Sequence, residues 1–143
     1  MTKPTDDQIA ALGAVFDTFT RRYKLVDAAG AGKSLNELDK QTLLYVADQP
    51  GCGPSDVARF LGVANTTITS ATDRLVKRGL LARRRAEGDR RAVALALSAE
   101  GEACVVDIRA AHRQLYDRML EPLSTAERDS LIGMLQKIAS NDD

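Results

Sequence analysis

Eight basic side chains fall within residues 74–91, a segment with only two acidic ones, Glu87 and Asp89. The whole chain has 20 basic and 20 acidic residues, so its formal charge is zero while this segment carries a local excess of six positive charges. Cations gathered in this way bind phosphate oxygens, and double-stranded DNA is the natural partner of such a patch. The basic residues are Arg74, Lys77, Arg78, Arg83, Arg84, Arg85, Arg90 and Arg91.

The segment that leads into this basic run, residues 65–78, predicts a helix with two different faces. The packing face repeats at helical spacing and consists of Ile68, Ala71, Thr72 and Leu75. Short hydrogen-bonding side chains, which suit a helix that meets base edges in the major groove, form the opposite face. They are Asn65, Thr66, Thr69, Ser70 and Asp73. Because an ordinary polar surface helix shows the same pattern, this helix alone leaves the function open.

The neighbouring elements predict a helix-turn-helix followed by a hairpin. Residues 55–62 form a short amphipathic helix, and Gly62 permits the left-handed backbone that ends it before a sharp turn. Pro54 stands where that helix begins. After Gly79, residues 80–85 and 91–97 read as two strands with Gly88 at the hairpin tip. A basic hairpin beside a polar-faced helix strengthens the DNA-binding interpretation.

Five short motifs in this region resemble, in order and spacing, the winged-helix core of the MarR family of bacterial transcriptional regulators. The resemblance extends more loosely to Pro50-Gly51 and to the flanking helices. The motifs are Asp73-Arg74-Leu75, Arg78-Gly79-Leu80-Leu81, Arg83-Arg84, Asp89-Arg90-Arg91 and Leu97-Ser98-Ala99-Glu100-Gly101.

The resemblance implies a homodimeric winged helix-turn-helix protein in which residues 65–78 form the recognition helix. Arg91 would reach a minor groove, whose narrow walls concentrate negative potential. Asp89 would either brace Arg91 or satisfy backbone donors of the turn. Arg74 would either bind a phosphate or pair with an acidic neighbour. The predicted DNA-binding residues are Asn65, Thr66, Thr67, Thr69, Ser70, Arg74, Lys77, Arg84, Arg90 and Arg91, with Asp89 as wing support.

Two positions depart from the family pattern. Ala64 stands where relatives often have a helix-capping serine, and we expect Asn65 to cap the helix instead, one residue later. Ser70 stands where they often have an arginine, which removes an expected phosphate or base contact. The operator sequence is therefore harder to predict than the fold.

Amphipathic helices are also predicted on both sides of this core. They cover residues 5–26, with a Thr5-x-x-Gln8 capping box, then residues 36–48, capped by Asn36, and residues 98–120. A last helix follows the Ser124-x-x-Glu127 capping box and carries Leu131, Met134, Leu135 and Ile138. The N-terminal helix and the two C-terminal ones either close the chain's own core or pair between two subunits. Two-fold DNA binding favours pairing.

The predicted fold is mostly α with a small β-hairpin wing (α+β), a winged helix-turn-helix with N- and C-terminal dimerisation helices. Residues 1–34 would hold the N-terminal dimerisation helix and a connection, residues 35–98 the DNA-binding region, and residues 99–143 the C-terminal dimerisation helices. Charged residues interrupt the apolar positions of the first helix, and nothing predicts a signal peptide or a membrane span. We therefore expect a cytoplasmic protein. The Gly30-Ala-Gly-Lys-Ser34 run lacks the leading glycine and preceding strand of a phosphate-binding loop.

Nothing in the sequence predicts an enzyme, a metal site or a cofactor. His112 is the only histidine, and Cys52 and Cys104 have no paired spacing. Cys104 lies on an apolar helix stripe, whereas Cys52 lies between two glycines, where an exposed thiol would be open to oxidation. The family resemblance also implies a small aromatic or phenolic effector. Phe16, Phe19, Tyr23 and Tyr45 are candidates to line its pocket, although core packing explains each equally well.

These observations predict a sequence-specific transcriptional regulator, a ligand-responsive repressor that binds a pseudo-palindromic operator as a homodimer. Two alternatives remain open at this point. One is a regulator that senses oxidation through Cys52. The other is a winged-helix architectural or protein-interaction module that binds DNA without sequence preference.

Overall fold

The computed structural model describes residues 2–29, 35–86 and 88–141, without the side chains of residues 24–29, 86 and 89–91. It divides the chain into two compact units, Met1–Leu35 and Asn36–Asp143. No helix within the described ranges is long and apolar enough to cross a membrane. The elements in order are α1 (Asp6–Ala29), α2 (Glu37–Asp48), α3 (Pro54–Leu61), α4 (Asn65–Lys77), β1 (Leu81–Ala86), β2 (Asp89–Leu97), α5 (Ala99–Leu120) and α6 (Thr125–Ala139).

The first unit contains α1, which starts at the predicted capping box. Thr5 Oγ1 accepts from the Gln8 N–H at 3.1 Å, and Gln8 Oε1 accepts from the Thr5 N–H at 2.9 Å. The helix runs three residues past the predicted end at residue 26, because no glycine or proline stops it before Gly30. The Gly30-Ala-Gly-Lys-Ser34 run lies outside the described residues.

In the second unit, α2, α3, α4, β2 and the first half of α5 enclose one hydrophobic core. Its fully buried side chains include Leu43 and Val46 of α2, Ile68 and Leu75 of α4, and Leu95 of β2. As predicted, Asn36 caps α2, because its side chain accepts from the Asp39 N–H at 2.8 Å.

The helix-turn-helix has the predicted glycine at its turn. Pro54 is at the start of α3, and Gly62 takes the left-handed conformation, with φ of 69°, that ends α3. At the far end of α4, Gly79 has φ of 76°, and the Leu80 N–H donates to the Leu75 carbonyl at 2.9 Å. Gly62 and Gly79 therefore determine the turns immediately before and after α4.

The wing is the predicted antiparallel hairpin. Leu81 pairs with Leu97 and Arg83 with Leu95, and the register shifts between Arg85 and Ala86 near the tip. The backbone of β2 is also tied to the loop ahead of α3 at one residue, Leu95. There the Leu95 N–H donates to the Cys52 carbonyl at 2.8 Å, and the Gly51 N–H donates to the Leu95 carbonyl at 3.1 Å. The base of the wing is therefore held on both sides.

The joint between the wing and α5 depends on a very close backbone approach. Ser98 caps α5 by accepting from the Gly101 N–H at 3.0 Å, and the Ser98 N–H donates to the Leu80 carbonyl at 3.1 Å. A Cβ added at Gly101 would lie 2.1 Å from the Leu80 carbonyl oxygen, far inside contact distance. Only glycine fits at this position, which explains the glycine of the Leu97-Ser98-Ala99-Glu100-Gly101 motif.

The two C-terminal helices differ in how much they bury. In α5, Cys104, Val105 and Ile108 are buried, whereas Ala111, three residues after Ile108 on the same side of the helix, is exposed. The Ser124 and Glu127 capping box starts α6 as predicted, and hydrogen bonds from the Ser124 backbone and side chain lower the pKa of Glu127. No residue of α6 is buried.

Candidate nucleic-acid interface

The recognition-helix candidate α4 presents the two faces that its sequence predicts. Ile68, Ala71, Thr72 and Leu75 are completely buried. The predicted base-contacting side chains all lie exposed on the other face; they are Asn65, Thr66, Thr67, Thr69 and Ser70. This arrangement leaves amide and hydroxyl groups in solvent on a helix whose buried face anchors it to the core.

The start of α4 corrects one prediction. Asn65 is not the cap but the first helical residue, and Ala64 takes the N-cap position with extended φ and ψ of −67° and 148°. The Ala64 carbonyl accepts from the Thr67 N–H at 3.1 Å. Because Gly62 already turns the chain, the helix starts at residue 65 without a side-chain cap, and the amide of Asn65 is left out of any capping bond.

Two threonine hydroxyls on α4 bond back to the helix. Thr69 Oγ1 donates to the Asn65 carbonyl at 2.9 Å on the exposed face. Thr72 Oγ1 donates to the Ile68 carbonyl at 2.6 Å in the core, which explains how a polar side chain is buried there without cost to hydrogen bonding. Thr69 therefore presents a methyl group and oxygen lone pairs rather than a free hydroxyl hydrogen.

Arg74 is engaged by an acidic residue from another helix. Its guanidinium Nη2 lies 2.8 Å from Oδ1 of Asp39, and this hydrogen bond raises the pKa of Arg74. The Asp39 side chain is only 5% exposed and the Arg74 side chain is 46% exposed. Of the two roles left open by the sequence, the structure shows pairing. The sequence gives no signal for it, since the partners are 35 residues apart.

A second ion pair links α4 to the wing. Asp73 at the exposed end of α4 is hydrogen-bonded to Arg83 of β1. Asp73 was predicted on the polar face of α4 and Arg83 in the basic patch, but their mutual neutralisation was not predicted. Arg83 is therefore not a free cation, whereas its strand neighbours Arg84 and Arg85 form no ion pair with a carboxylate in the described residues.

The cations that remain available lie along the wing and the end of α4. Lys77, Arg84 and Arg85 are exposed, and none of them forms an ion pair with a carboxylate in the described part of the chain. The side chains of Asp89, Arg90 and Arg91 lie outside the described residues, so their predicted roles at the wing tip stay predictions.

Cys52 is not the exposed thiol that the sequence predicts. Cys52 is buried, with 9% relative exposure. Backbone hydrogen bonds between Leu95 and residues 51 and 52 hold its loop against the base of the wing. Burial, together with the negative charge of Asp56, raises the pKa of the Cys52 thiol. A protonated, buried thiol reacts slowly with oxidants, because the thiolate is the nucleophile.

The candidate effector-binding aromatics fall into two separate sets. On α1, Phe16 and Phe19 have ring centroids 6.1 Å apart, and Phe19 and Tyr23 have centroids 5.9 Å apart. Tyr45, in the other unit, packs on Phe60 of α3, with centroids 4.7 Å apart. Phe60 was not predicted as a site residue, and its side chain is 67% exposed. No group of three or more metal-ligating side chains occurs among the residues described.

Comparison with known proteins agrees with this geometry. Residues 31–92 match the family model described as the MarR family. A crystal structure of a probable transcriptional regulator from Pseudomonas aeruginosa has 30% sequence identity and a TM-score of 0.72, with 93% of this chain and 98% of that chain covered. The chain belongs to the MarR family.

Two further relatives extend the comparison of this MarR-family chain. The HTH-type transcriptional repressor YetL of Bacillus subtilis (strain 168) is 29% identical over 124 residues, which cover 85% of this chain and 74% of YetL. The transcriptional repressor CouR, in a structure bound to a 23-mer DNA duplex, has 27% identity and a TM-score of 0.74, with 96% of this chain and 99% of that chain covered.

The MarR-family chain is thus a DNA-binding transcriptional regulator with the predicted winged helix-turn-helix fold. The relatives are regulators rather than enzymes, as the sequence predicts. Within this fold, α4 corresponds to the recognition helix and the β1–β2 hairpin to the wing.

Proposed function

We propose that this regulator is a ligand-responsive repressor that binds a pseudo-palindromic operator as a homodimer. The main support for a homodimer is the exposure of α6: the helix is amphipathic, yet none of its residues is buried. Its exposed apolar side chains are Ile132, Met134, Leu135 and Ile138, with exposures from 41% to 68%. A continuous apolar face of this kind marks a protein–protein contact.

The exposed stripe of α1 supports the same assembly. It consists of large apolar side chains at helical spacing, each between 37% and 60% exposed: Ile9, Leu12, Val15, Phe16 and Phe19. A two-fold dimer would present two copies of α4, and successive major grooves on one side of DNA are about 34 Å apart. The symmetry of the protein would therefore be matched by a pseudo-palindromic operator.

In this proposal, bases are read by the exposed face of α4, and phosphates are held by cations of α4 and the wing. The base-contacting set is Asn65, Thr66, Thr67, Thr69 and Ser70. Lys77 and Arg84 would hold phosphates, Arg74 would do so while still paired with Asp39, and Arg90 and Arg91 would extend the wing to the minor groove. Phosphate contacts give affinity without sequence preference, whereas the α4 contacts give the preference.

An effector would act by changing the separation of the two recognition helices. A molecule that binds one dimer geometry better than another shifts the population by its differential affinity. Phe16 and Phe19 pack edge to face, and Phe19 and Tyr23 pack at a tilt; these rings support a small aromatic or phenolic effector, because aromatic ligands pack well on such side chains. Tyr45 remains a candidate on the second unit.

The proposal is tested by fluorescence anisotropy on labelled duplex from the region upstream of the chain's own gene, against a scrambled duplex, at two salt concentrations. We expect a preference for the upstream duplex that persists at the higher salt, weakened by a panel of small phenols and aromatic acids. Equal, salt-labile binding to both duplexes would instead favour a module without sequence preference. Burial of Cys52 argues against oxidation as the regulating signal.

Dimerisation is tested separately by light scattering after size-exclusion chromatography. Leu135→Asp places a charge on the apolar face of α6, and we expect it to give monomers that no longer bind the operator. Lys137→Asp places the same group about 200° around the helix and should leave a dimer. A monomeric wild-type chain, or a dimer that tolerates Leu135→Asp, would contradict the assignment of this face.

A further inference from the structure

The exposed face of α4 divides into a neutral part, residues 65–70, and a charged part that begins at Asp73, whose carboxylate is hydrogen-bonded to Arg83. No arginine or lysine occurs in residues 65–73, and the exposed side chains of the first two turns carry only amide and hydroxyl groups. The first cations, Arg74 and Lys77, stand in the last turn, and Asp39 holds Arg74 at 2.8 Å. Helix-turn-helix proteins place the N-terminal part of the recognition helix against base edges. That part is uncharged here.

A neutral reading surface disfavours guanine. In the major groove guanine presents two acceptors, O6 and N7, and its commonest specific partner is an arginine or lysine that donates to both. The hydroxyls of Thr66 and Ser70 each have a single hydrogen to donate. The α4 face therefore lacks the side chains that select G·C pairs most strongly.

The same surface suits adenine. Adenine presents the N6 amino donor beside the N7 acceptor, and an asparagine amide carries one acceptor and one donor group that pair with both. Asn65 is exposed as the first helical residue, and its side chain is not used as a cap. Its amide is free to make this two-point contact.

Thr69 lies one turn after Asn65 on the same row of the helix, and it complements thymine. Its hydroxyl hydrogen is committed to the Asn65 carbonyl at 2.9 Å, so it has no hydrogen to donate to a base, and its methyl group is left for apolar contact beside the oxygen lone pairs. Thymine is the base with a methyl group in the major groove, and threonine methyls pack against it. One hydrogen bond within the helix thus removes the hydrogen-bond donor of Thr69 and leaves its methyl group available to a thymine.

We propose that α4 reads A·T base pairs in the operator half-site, with Asn65 on an adenine and Thr69 on a thymine methyl. No guanine is specified from residues 65–73. The inference rests on the proposed function, in which α4 is the reading helix of a sequence-specific dimer. It names the base composition of the DNA that this dimer selects.

The first test is selection from a symmetric library of random half-sites with the full-length protein. We expect A·T pairs at the positions that α4 contacts. Selection of guanines there, with specific binding intact, would overturn this inference and leave the proposed function standing. Failure to enrich any sequence would overturn both.

Analogue bases separate α4 from the wing, because a wing in a narrow minor groove also favours A·T pairs. Replacing A·T by inosine·cytosine gives a guanine-like major-groove edge without the minor-groove amino group. We expect it to weaken binding as much as G·C does at the α4 positions. If inosine·cytosine binds as well as A·T, the preference comes from the minor groove and the inference is wrong.

Deoxyuridine in place of thymidine removes only the methyl group that Thr69 would contact. We expect a several-fold loss of affinity for the wild type and for Thr69→Val, which keeps a methyl. No such loss is expected for Thr69→Ser, which keeps only the hydroxyl. Equal sensitivity of Thr69→Ser and wild type would remove Thr69 from the contact.

The last test creates the missing contact. Ser70→Arg supplies an exposed guanidinium in the neutral part of α4, and we expect it to add a preference for guanine at one position of each half-site, on the order of 10-fold. Asn65→Ala should relax the adenine preference at its own position. A Ser70→Arg variant that gains only uniform affinity would show that this face meets phosphates, and it would overturn the inference.

Discussion

Gly101→Ala is the substitution whose effect follows most directly from the structure. A Cβ at this position would lie 2.1 Å from the Leu80 carbonyl oxygen and 3.1 Å from its carbonyl carbon. These are backbone atoms, and the same carbonyl accepts from the Ser98 N–H, so no side-chain rotation relieves the clash. The start of α5 must move by about 1 Å from the wing, since normal contact distances exceed 3 Å.

The magnitude combines two opposing effects. Overpacking of this kind costs about 3 kcal/mol, at the upper end of measured values because backbone has to shift. Alanine in place of a helical glycine returns up to about 1 kcal/mol. We expect a net loss of about 2 kcal/mol in the free energy of unfolding and a fall of roughly 5–8 °C in Tm at matched protein concentration.

Gly133→Ala is the matched control. Gly133 is also helical, and no heavy atom lies within 4 Å of its added Cβ. It lies about 200° around α6 from Leu131, which places it opposite the apolar side of that helix. It should raise stability by up to about 1 kcal/mol. Thermal unfolding followed by circular dichroism compares the two variants. If Gly101→Ala unfolds at or above the wild-type temperature, the close approach of α5 to Leu80 is wrong.

The remaining predictions concern charge and the thiol. Asp39→Asn should lower Tm, because it weakens a pair with one nearly buried partner, whereas Asp48→Asn, at the exposed pair with Arg109, should leave Tm unchanged. In a Cys104→Ser background, Cys52 of the folded protein should react with a thiol reagent far more slowly than Cys52 of urea-unfolded protein. The reaction at pH 7.5 should be slow because the raised pKa of the Cys52 thiol keeps it protonated. Fast labelling of the folded protein would contradict the burial of Cys52. Arg84→Ala and Arg91→Ala should each weaken binding to all DNA and reduce the salt slope by about 1, and an unchanged slope would remove that arginine from the interface.

Most of the fold could be predicted because its signals are local. The Ser98 and Ser124 caps, the Gly62 turn and the alternation around Gly88 each depend on residues a few positions apart. The end of α1 was missed because no breaker residue marks it before Gly30. The residues on the two faces of α4 were predicted correctly because helical periodicity alone determines them.

The site was less predictable because its key partners are distant in the chain. Asp39 and Arg74 are 35 residues apart, and nothing in either segment indicates their pairing. Cys52 was misjudged for a similar reason, since its flanking glycines indicate an open loop. Its burial comes from pairing with Leu95, which only the folded chain brings near.

The outer edge of β1 carries a consequence for solubility. In the described chain β2 is paired with β1 and tied to the Gly51–Cys52 loop, while β1 pairs only with β2. An open strand edge is a template for aggregation, and a row of charged side chains is a common protection against it. Arg83, Arg84 and Arg85 occupy this edge, so the row that includes the proposed phosphate ligand Arg84 also keeps the β1 strands of different molecules from pairing edge to edge. High salt or removal of all three charges should therefore promote self-association as well as loss of DNA binding.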